Sequence, residues 1–195
     1  DSPSNPYWNQ NCNGCANDIG DVNADNSIDV ADIVLLVSFI LGNTNNIEEC
    51  SGDANEDSII NVVDVVQIVQ LILGNLGLEA DQINLYLNDN YISYSSNGIL
   101  GAIELTLKHN FELELKLTEN SLISDFSTKG NTTKVIIVMP NSEELLSING
   151  EFEILDAVAV NSQDYISVNI INNPTEFNLG NAYPNPFNPS TTISY

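Results

Sequence analysis

The stretch Gly20-Asp-Val-Asn-Ala-Asp-Asn-Ser-Ile-Asp-Val-Ala-Asp32 is repeated 32 residues later as Gly52-Asp-Ala-Asn-Glu-Asp-Ser-Ile-Ile-Asn-Val-Val-Asp64. Each copy runs into an apolar stretch that stops at Leu-Gly-Asn. Both copies place oxygen-bearing side chains at loop positions one, three, five, nine and twelve, which is the spacing that a calcium loop requires. Because the pattern occurs twice in register, we interpret it as two calcium loops, each followed by a helix.

The predicted ligands of each loop are five side chains and the main-chain carbonyl at position seven. In the first loop they are Asp21, Asn23, Asp25, Asp29 and Asp32, with the carbonyl of Ser27. In the second loop they are Asp53, Asn55, Asp57, Asn61 and Asp64, with the carbonyl of Ile59. The alternative is that Asp and Asn act here only as turn formers and helix N-caps, a role open to Asp32 and Asp64.

The two loops differ at two positions that bear on calcium affinity. Position six, which turns through the left-handed region, is Asn26 in the first loop and Ser58 in the second. Asn tolerates that conformation better than Ser. Position nine is Asp29 in the first loop and Asn61 in the second, so the first loop carries more ligand charge. We therefore predict that the second site is weaker.

These paired loops resemble a type I dockerin, a module of two calcium-loop-and-helix repeats that docks onto cohesin domains. The motifs are Gly-Asp-x-Asn-x-Asp, the Asp at position twelve and Ile-Leu-Gly-Asn at both helix ends, over about Gly20 to Asn75. The resemblance implies two calcium ions and a protein partner bound through the helices. In that family, positions ten and eleven often help to choose the partner. Here they are the apolar pairs Val30-Ala31 and Val62-Val63, which identify no partner.

The helical stretches Ile33–Leu41 and Val65–Leu73 are predicted to bury one apolar stripe against each other. Aligning the repeats places Gln67 and Gln70 of the second where the first has Leu35 and Ser38. Leu35 and Phe39 add a further apolar face to the first helix alone. We predict that these two residues are buried against the sandwich or against a neighbouring subunit.

From residue 81 to residue 171 the apolar period changes to two, which predicts short strands separated by Asn, Ser, Gly and Asp turns. The predicted strands are Ile83–Leu87, Tyr91–Tyr94, Ala102–Leu107, Phe111–Leu117, Lys134–Met139, Glu151–Leu155, Ala157–Val160 and Ile166–Ile170. Their pattern indicates an antiparallel sandwich. The spacing of Gly98 to Leu107, Lys134-Val-Ile-Ile-Val and Asn149 to Leu155 resembles a cohesin-type jelly roll, with an Ig-like or fibronectin-like sandwich as the alternative.

The sequence therefore predicts an α+β chain, with a small two-helix calcium-loop (dockerin-like) domain followed by an antiparallel β-sandwich. The predicted divisions are an Asn-rich arm (1–19), the dockerin-like domain (20–76), the sandwich (80–172) and a Pro-rich tail (173–195). Within the tail, Tyr183-Pro-Asn-Pro-Phe-Asn-Pro followed by Thr-x-Ile resembles the start of the C-terminal sorting domain of type IX secretion. Its last five residues, Thr191 to Tyr195, are β-prone, and we predict that they join a sheet edge of a neighbour.

Composition and cysteines bear on location and partners. The formal net charge of −23 argues against nucleic acid and anionic membrane as partners. No apolar run approaches the roughly 20 residues of a membrane-spanning helix. We read the chain, which begins at Asp1, as a mature secreted protein of extracellular or cell-surface location. A disulfide between Cys15 and Cys50 is geometrically plausible, while Cys12–Cys50, Cys12–Cys15 and a zinc site of the three cysteines remain open.

Nothing in the sequence assembles a catalytic group: there is one histidine, no Gly-x-Ser-x-Gly and no phosphate loop. The Glu112/Glu114 and Glu151/Glu153 pairs fall on the predicted outer faces of strands. The prediction is a non-catalytic, extracellular, calcium-binding structural or interaction protein that self-assembles head-to-tail into filaments. The alternatives are a monomeric docking or display module of a larger secreted assembly, bound to a cellulosome-like scaffold, and a carbohydrate-active accessory domain. The last would use Trp8, Tyr86, Tyr91 and Tyr94.

Overall fold

The computed structural model describes residues 15, 17–74, 77, 79–88, 90–110 and 113–172. Three helices come first, namely α1 (Val30–Ile40), α2 (Glu49–Gly52) and α3 (Val62–Leu73). Nine strands follow: β1 (Gln82–Leu87), β2 (Tyr91–Ser96), β3 (Ala102–His109), β4 (Glu114–Leu117), β5 (Ile123–Lys129), β6 (Thr132–Val138), β7 (Glu144–Asn149), β8 (Phe152–Val160) and β9 (Tyr165–Asn172). The predictions for the arm, Cys12, Trp8, Glu112 and the tail lie outside the described residues.

Helices α1 and α3 begin three residues earlier than predicted, because loop position nine caps each of them. The Asp29 side chain accepts from the Ala31 N–H, and Asp32 accepts from the backbone N–H of Asp29. Asn61 and Asp64 form the same reciprocal capping box on α3. The suggestion that Asp32 or Asp64 is itself the N-cap is therefore wrong.

Several strand boundaries differ from the prediction. Strands β5 and β7 and the short helix α2 were not predicted. In β7 the consecutive residues Leu145 and Leu146 are both fully buried, which hides the alternation expected of a strand. The predicted break at Asp156 is absent, because β8 runs through it with a register shift opposite β3.

The strands form a sandwich that is almost a closed barrel, in the order β4-β7-β2-β1-β9-β8-β3-β6-β5. Strand β9 joins the two sheets: Tyr165 and Ile166 pair with β8, and residues 167–172 pair with β1. The β1–β9 pair is parallel, a detail that the predicted antiparallel sandwich did not include. The other described strand pairs are antiparallel.

The apolar residues form two cores. One fills the space between the sheets and includes Ile83, Leu85, Ile103 and Leu105. The other lies between the helices and the outer face of the β8-β3-β6-β5 sheet. Strand β6 supplies both, which explains its continuous apolar run, since a strand covered on both faces needs no polar alternation.

Helix α3 lies directly on the sandwich. At Gly101 an added Cβ would lie 2.8 Å from a methyl carbon of Val66, so only glycine fits under the helix. Two amides extend the contact: Gln67 Nε2 donates to the Ser162 carbonyl at 2.7 Å, and Gln70 Nε2 donates to Glu79 Oε1 at 3.1 Å. The helical unit and the sandwich therefore share a core as well as a polar seam.

The first helix lies further out. Leu35 is half-buried against the shared core, as predicted for an apolar residue covered by the rest of the chain. Phe39 is also half-buried and lines a shallow cleft with Cys50 and Ile60. Helix α1 therefore has fewer fully buried residues than α3.

A disulfide joins Cys15 to Cys50, with their Cα atoms 5.5 Å apart. It ties the approach to the first loop to α2, which precedes the second. This is one of the three pairings that the sequence left open, and it contradicts the zinc alternative, because both sulfurs are consumed. Within the part of the chain that the structure describes, no helix is both long and apolar enough to cross a membrane.

Candidate functional site

The first calcium-type loop is held by its own carboxylates. Asp32 Oδ1 accepts from the N–H groups of Val22 and Asn23 at 2.8 and 3.1 Å. Asp21 accepts from the N–H groups of Asp25 and Asn26 at 3.0 and 3.1 Å. These bonds bring the first and last positions of the loop against the same backbone.

The second loop repeats this network with small differences. Asp53 accepts from the N–H groups of Asp57 and Ser58 at 3.1 and 2.9 Å. Asp64 Oδ1 accepts from the Asn55 N–H at 3.1 Å. The Asn61 amide also donates to the carbonyl of Ile59 at 3.1 Å, a bond that the carboxylate of Asp29 in the first loop has no N–H to make.

Both loops turn through the left-handed region at position six, as the sequence predicts. The φ angles of Asn26 and Ser58 are 68° and 69°. Position four is left-handed as well, with φ of 61° at Ala24 and 62° at Glu56. That second turn was not predicted, because neither Ala nor Glu carries the Gly or Asn signal for positive φ.

The loops bury negative charge without a protein cation beside it. Asp21 is 2% exposed, and Asp32 and Asp64 are 0% exposed. The chain has four basic residues, all on or beside sandwich strands: Lys108, Lys116, Lys129 and Lys134. A buried carboxylate is costly unless hydrogen bonds and an opposite charge compensate it.

Burial raises the pKa of the Asp64 carboxyl. Hydrogen bonds from the N–H groups of Asn61 and Asn55 lower it, and the neighbouring carboxylates of Asp53 and Asp57 raise it. The net direction is upward, as expected for an acidic group that backbone bonds alone do not stabilise.

Among the described residues, no three or more acidic, histidine or cysteine side chains are arranged to hold a metal ion. The carboxylates turn instead toward N–H groups of their own loops. Each loop also offers an Asn side chain at position three and main-chain carbonyls, so its donors are all oxygen. An all-oxygen donor set with several carboxylates fits calcium by its chemistry.

Positions ten and eleven of the two loops differ in exposure. Val30 and Ala31, at positions ten and eleven of the first loop, are exposed, and Val34 extends this apolar face one helical turn further. Val62 and Val63, at the same positions of the second loop, are both 2% exposed. We refer to Val30, Ala31 and Val34 as the α1 face.

Tyr86 and Tyr94 of the carbohydrate alternative do not lie on the same face of the sheet. Tyr94 packs on the inner core of the sandwich and donates to the Pro140 carbonyl at 3.2 Å. Burial, and then the carboxylate of Glu143, raises the pKa of Tyr94. Tyr86 is the cross-strand neighbour of Ser93, one position out of register with Tyr94, and so points to the other side of the sheet.

The comparisons with known proteins agree with the loop geometry. Residues 19–73 match the dockerin type I domain family, which confirms the resemblance carried by the repeated loops. No curated protein matches the chain. Among solved structures, a non-cellulosomal cohesin from the hyperthermophilic archaeon Archaeoglobus fulgidus has 12% sequence identity and a TM-score of 0.36. The match covers 46% of this chain and 86% of the cohesin.

Proposed function

We propose that this chain is a calcium-stabilised, non-catalytic docking protein that acts outside the cell and presents its first repeat to a protein partner. The similarity of residues 19–73 to dockerin type I domains, which are interaction modules, supports the docking role. The observation that carries the calcium proposal is the burial of Asp21 and Asp32 in a loop whose carboxylates pair with no lysine of the described chain.

The ions would be held by the twelve predicted ligands, six in each loop. Calcium supplies the positive charge that the buried carboxylates lack, and it links the start of each loop to the first turn of the following helix. The side chains of Asp21 and Asp53 hold the turn by accepting hydrogen bonds from loop N–H groups. Asp29 and Asn61 cap the helices. Calcium binding is therefore proposed to stabilise the face that docks.

The α1 face is proposed as the docking surface. Val34 is 51% exposed and Val30 is 43% exposed, on one side of a helix that packs elsewhere against α3. The corresponding surface of the second repeat is covered by the chain's own sandwich. One chain would thus present one docking face of this kind.

Self-association head-to-tail into filaments is the proposed assembly. A heterologous contact between identical chains joins different surfaces of the two copies. It forms a ring only when the rotation from copy to copy adds up to a full turn, and otherwise it produces a filament. Because α3 already covers the outer face of the β8-β3-β6-β5 sheet, a contact between copies must use another surface of the sandwich. A monomeric module that docks onto a separate scaffold is the alternative outcome.

Isothermal titration of calcium into the metal-free protein tests the proposed calcium binding, and about two ions per chain are expected. The matched control is Asp125→Asn, since Asp125 lies on β5, outside the loops. A wild-type stoichiometry of zero would end the proposal.

Sedimentation velocity with and without calcium, together with electron microscopy, tests the second part. Val34→Asp should weaken association, while Leu71→Asp on the second repeat should not, although Leu71 is similarly exposed at 57%. A protein that stays monomeric at all concentrations would support the scaffold-docking alternative.

A further inference from the structure

The seam between β8 and β9 is an incomplete part of the sandwich. Strand β8 pairs with β3 along its length, but with β9 only at Ala159 and Val160. Beyond that point β9 turns away to pair with β1. In the described chain, residues 152–158 of β8 and residues 167–172 of β9 therefore each have strand pairing on one side only.

The apolar core is thinly covered along this seam. Phe152, Ile154, Ile166 and Val168 pack on the inner core but are only half-buried. Their counterparts deeper in the sheets are closed off completely: Ile103, Leu105, Leu107, Ile83 and Leu85 are each 0% exposed. A cleft of about 780 Å³ opens here, lined in part by Phe152, Ile154 and Ile170.

An open strand edge beside exposed apolar side chains is a site for strand addition. The edge offers alternate N–H and C=O groups, and the cleft offers space for every second side chain of an incoming strand. The rim carries the exposed residues Glu151, Glu153 and Asp156, so an acidic strand would be repelled.

The chain itself contains a segment that suits this edge. Residues 177–195 include no Asp, Glu, Lys or Arg, although the whole chain has a net charge of −23. Within them, Thr191-Thr-Ile-Ser-Tyr195 combines β-branched and aromatic residues. Ile193 would point into the cleft, and Ser194 would face water.

The length of chain before this segment allows it to reach a neighbouring copy. The described chain stops at Asn172, which lines the cleft. The 18 residues from 173 to 190 can span up to about 60 Å, more than twice the length of a seven-residue strand edge. Pro184, Pro186 and Pro189 favour extended backbone, which would suit contact with a neighbouring copy.

We propose that the β8–β9 seam is an acceptor site for residues 191–195 of a second copy of this chain, which add as a strand to β8. This deepens the proposed self-association by adding to the α1 face a second contact, between residues 191–195 and the seam, that the filament also requires. It rests on that part of the proposed function. The proposed calcium ligands lie outside the seam. A failure of the calcium proposal can therefore be told apart from a failure of the seam proposal.

Hydrogen exchange of the chain of residues 1–195, read at two protein concentrations, tests the proposal. Amides of residues 152–158 should exchange about tenfold more slowly in the assembled than in the dilute protein. Ile193→Asp should remove both this protection and the polymers seen by sedimentation, whereas Ser194→Asp should retain both. Unchanged protection of β1 and β3 amides establishes that each variant is folded.

A peptide of residues 187–195 added to the Ile193→Asp chain should restore the protection of residues 152–158 without restoring polymers. Three results would overturn the proposal. The first is protection of residues 152–158 that does not depend on protein concentration, which would mean that each chain fills its own seam. The second is polymers that leave residues 152–158 unprotected. The third is polymers that survive Ile193→Asp. If calcium titration gives two ions while any of these is found, the docking proposal stands and the seam is not the acceptor.

Discussion

The two repeats have nearly the same loop but different surroundings. Helix α3 buries seven residues and lies on the sandwich, whereas α1 buries four and lies outside it. The difference arises from the helix surfaces: Gln67 and Gln70 bridge to the sandwich, where α1 has Leu35 and Ser38. A duplicated motif can thus keep its loop chemistry while one copy is used for internal packing and the other remains available to a partner.

Removing a carboxylate at loop position twelve should have the largest effect. Asp32→Ala and Asp64→Ala should each lose one ion, worth about 4 kcal/mol when calcium is at about 1,000 times its Kd. We expect Asp32→Ala to release α1 and Asp64→Ala to leave α3 largely protected, because the sheet still holds α3. Hydrogen exchange read helix by helix measures this. Equal loss of protection would mean that the sandwich does not support the second repeat.

Gly101→Ala should break the contact that distinguishes α3 from α1. The new Cβ would lie 2.8 Å from Val66 and 2.9 Å from the Val160 carbonyl. Such overpacking typically costs about 1–3 kcal/mol. Chemical denaturation should show this loss, and Val66→Ala in the same chain should recover part of it. Additive effects of the two substitutions would contradict a direct contact.

Gln70→Ala and Ser38→Ala are a matched pair at the same position of the two repeats. Gln70→Ala removes a hydrogen bond to the Glu79 carboxylate, worth about 1.5–3 kcal/mol at most. Ser38→Ala should change the free energy of unfolding by less than about 0.5 kcal/mol. Thermal denaturation of the two variants compares them. Similar losses of stability in the two variants would show that the hydrogen bonds of Gln67 and Gln70 do not explain the difference between the repeats.

The smallest expected effect concerns the order in which the sites fill. We expect calcium to fill the first loop before the second, because Asp29 adds negative charge to the first loop. In the second loop, the Asn61 amide donates a hydrogen bond to the Ile59 carbonyl, which is a predicted calcium ligand. Asp29→Asn should bring the two affinities closer, and Asn61→Asp should do the same from the other side. Both changes keep the N-cap, since Asp29 and Asn61 each accept their cap bond at 2.7 Å. Equal affinities in the wild type would show that the ranking is wrong.

The caps at loop position nine and the left-handed turn at position four were not predicted, and the ligand sets stay a prediction. The turn at position six was predictable because its signal is local, at Asn26 and Ser58 within loops of about twelve residues. The placement of α3 was not, because Gln67 meets Ser162, 95 residues away. Gly101 gave no signal in a single sequence that a helix would lie above it. Strands that alternate, such as β3, were found, while β7 was missed because adjacent leucines are both buried.

The position of the four lysines has a practical consequence. Trypsin has no cleavage site before Lys108, so the whole dockerin-like region stays in one fragment whether it is folded or unfolded. The calcium-dependent opening proposed for this region must therefore be followed with a protease that cuts at acidic or aromatic residues. Conversely, coupling through lysine amines attaches labels or a solid support to the sandwich alone. The loops and the α1 face then carry no lysine-linked label.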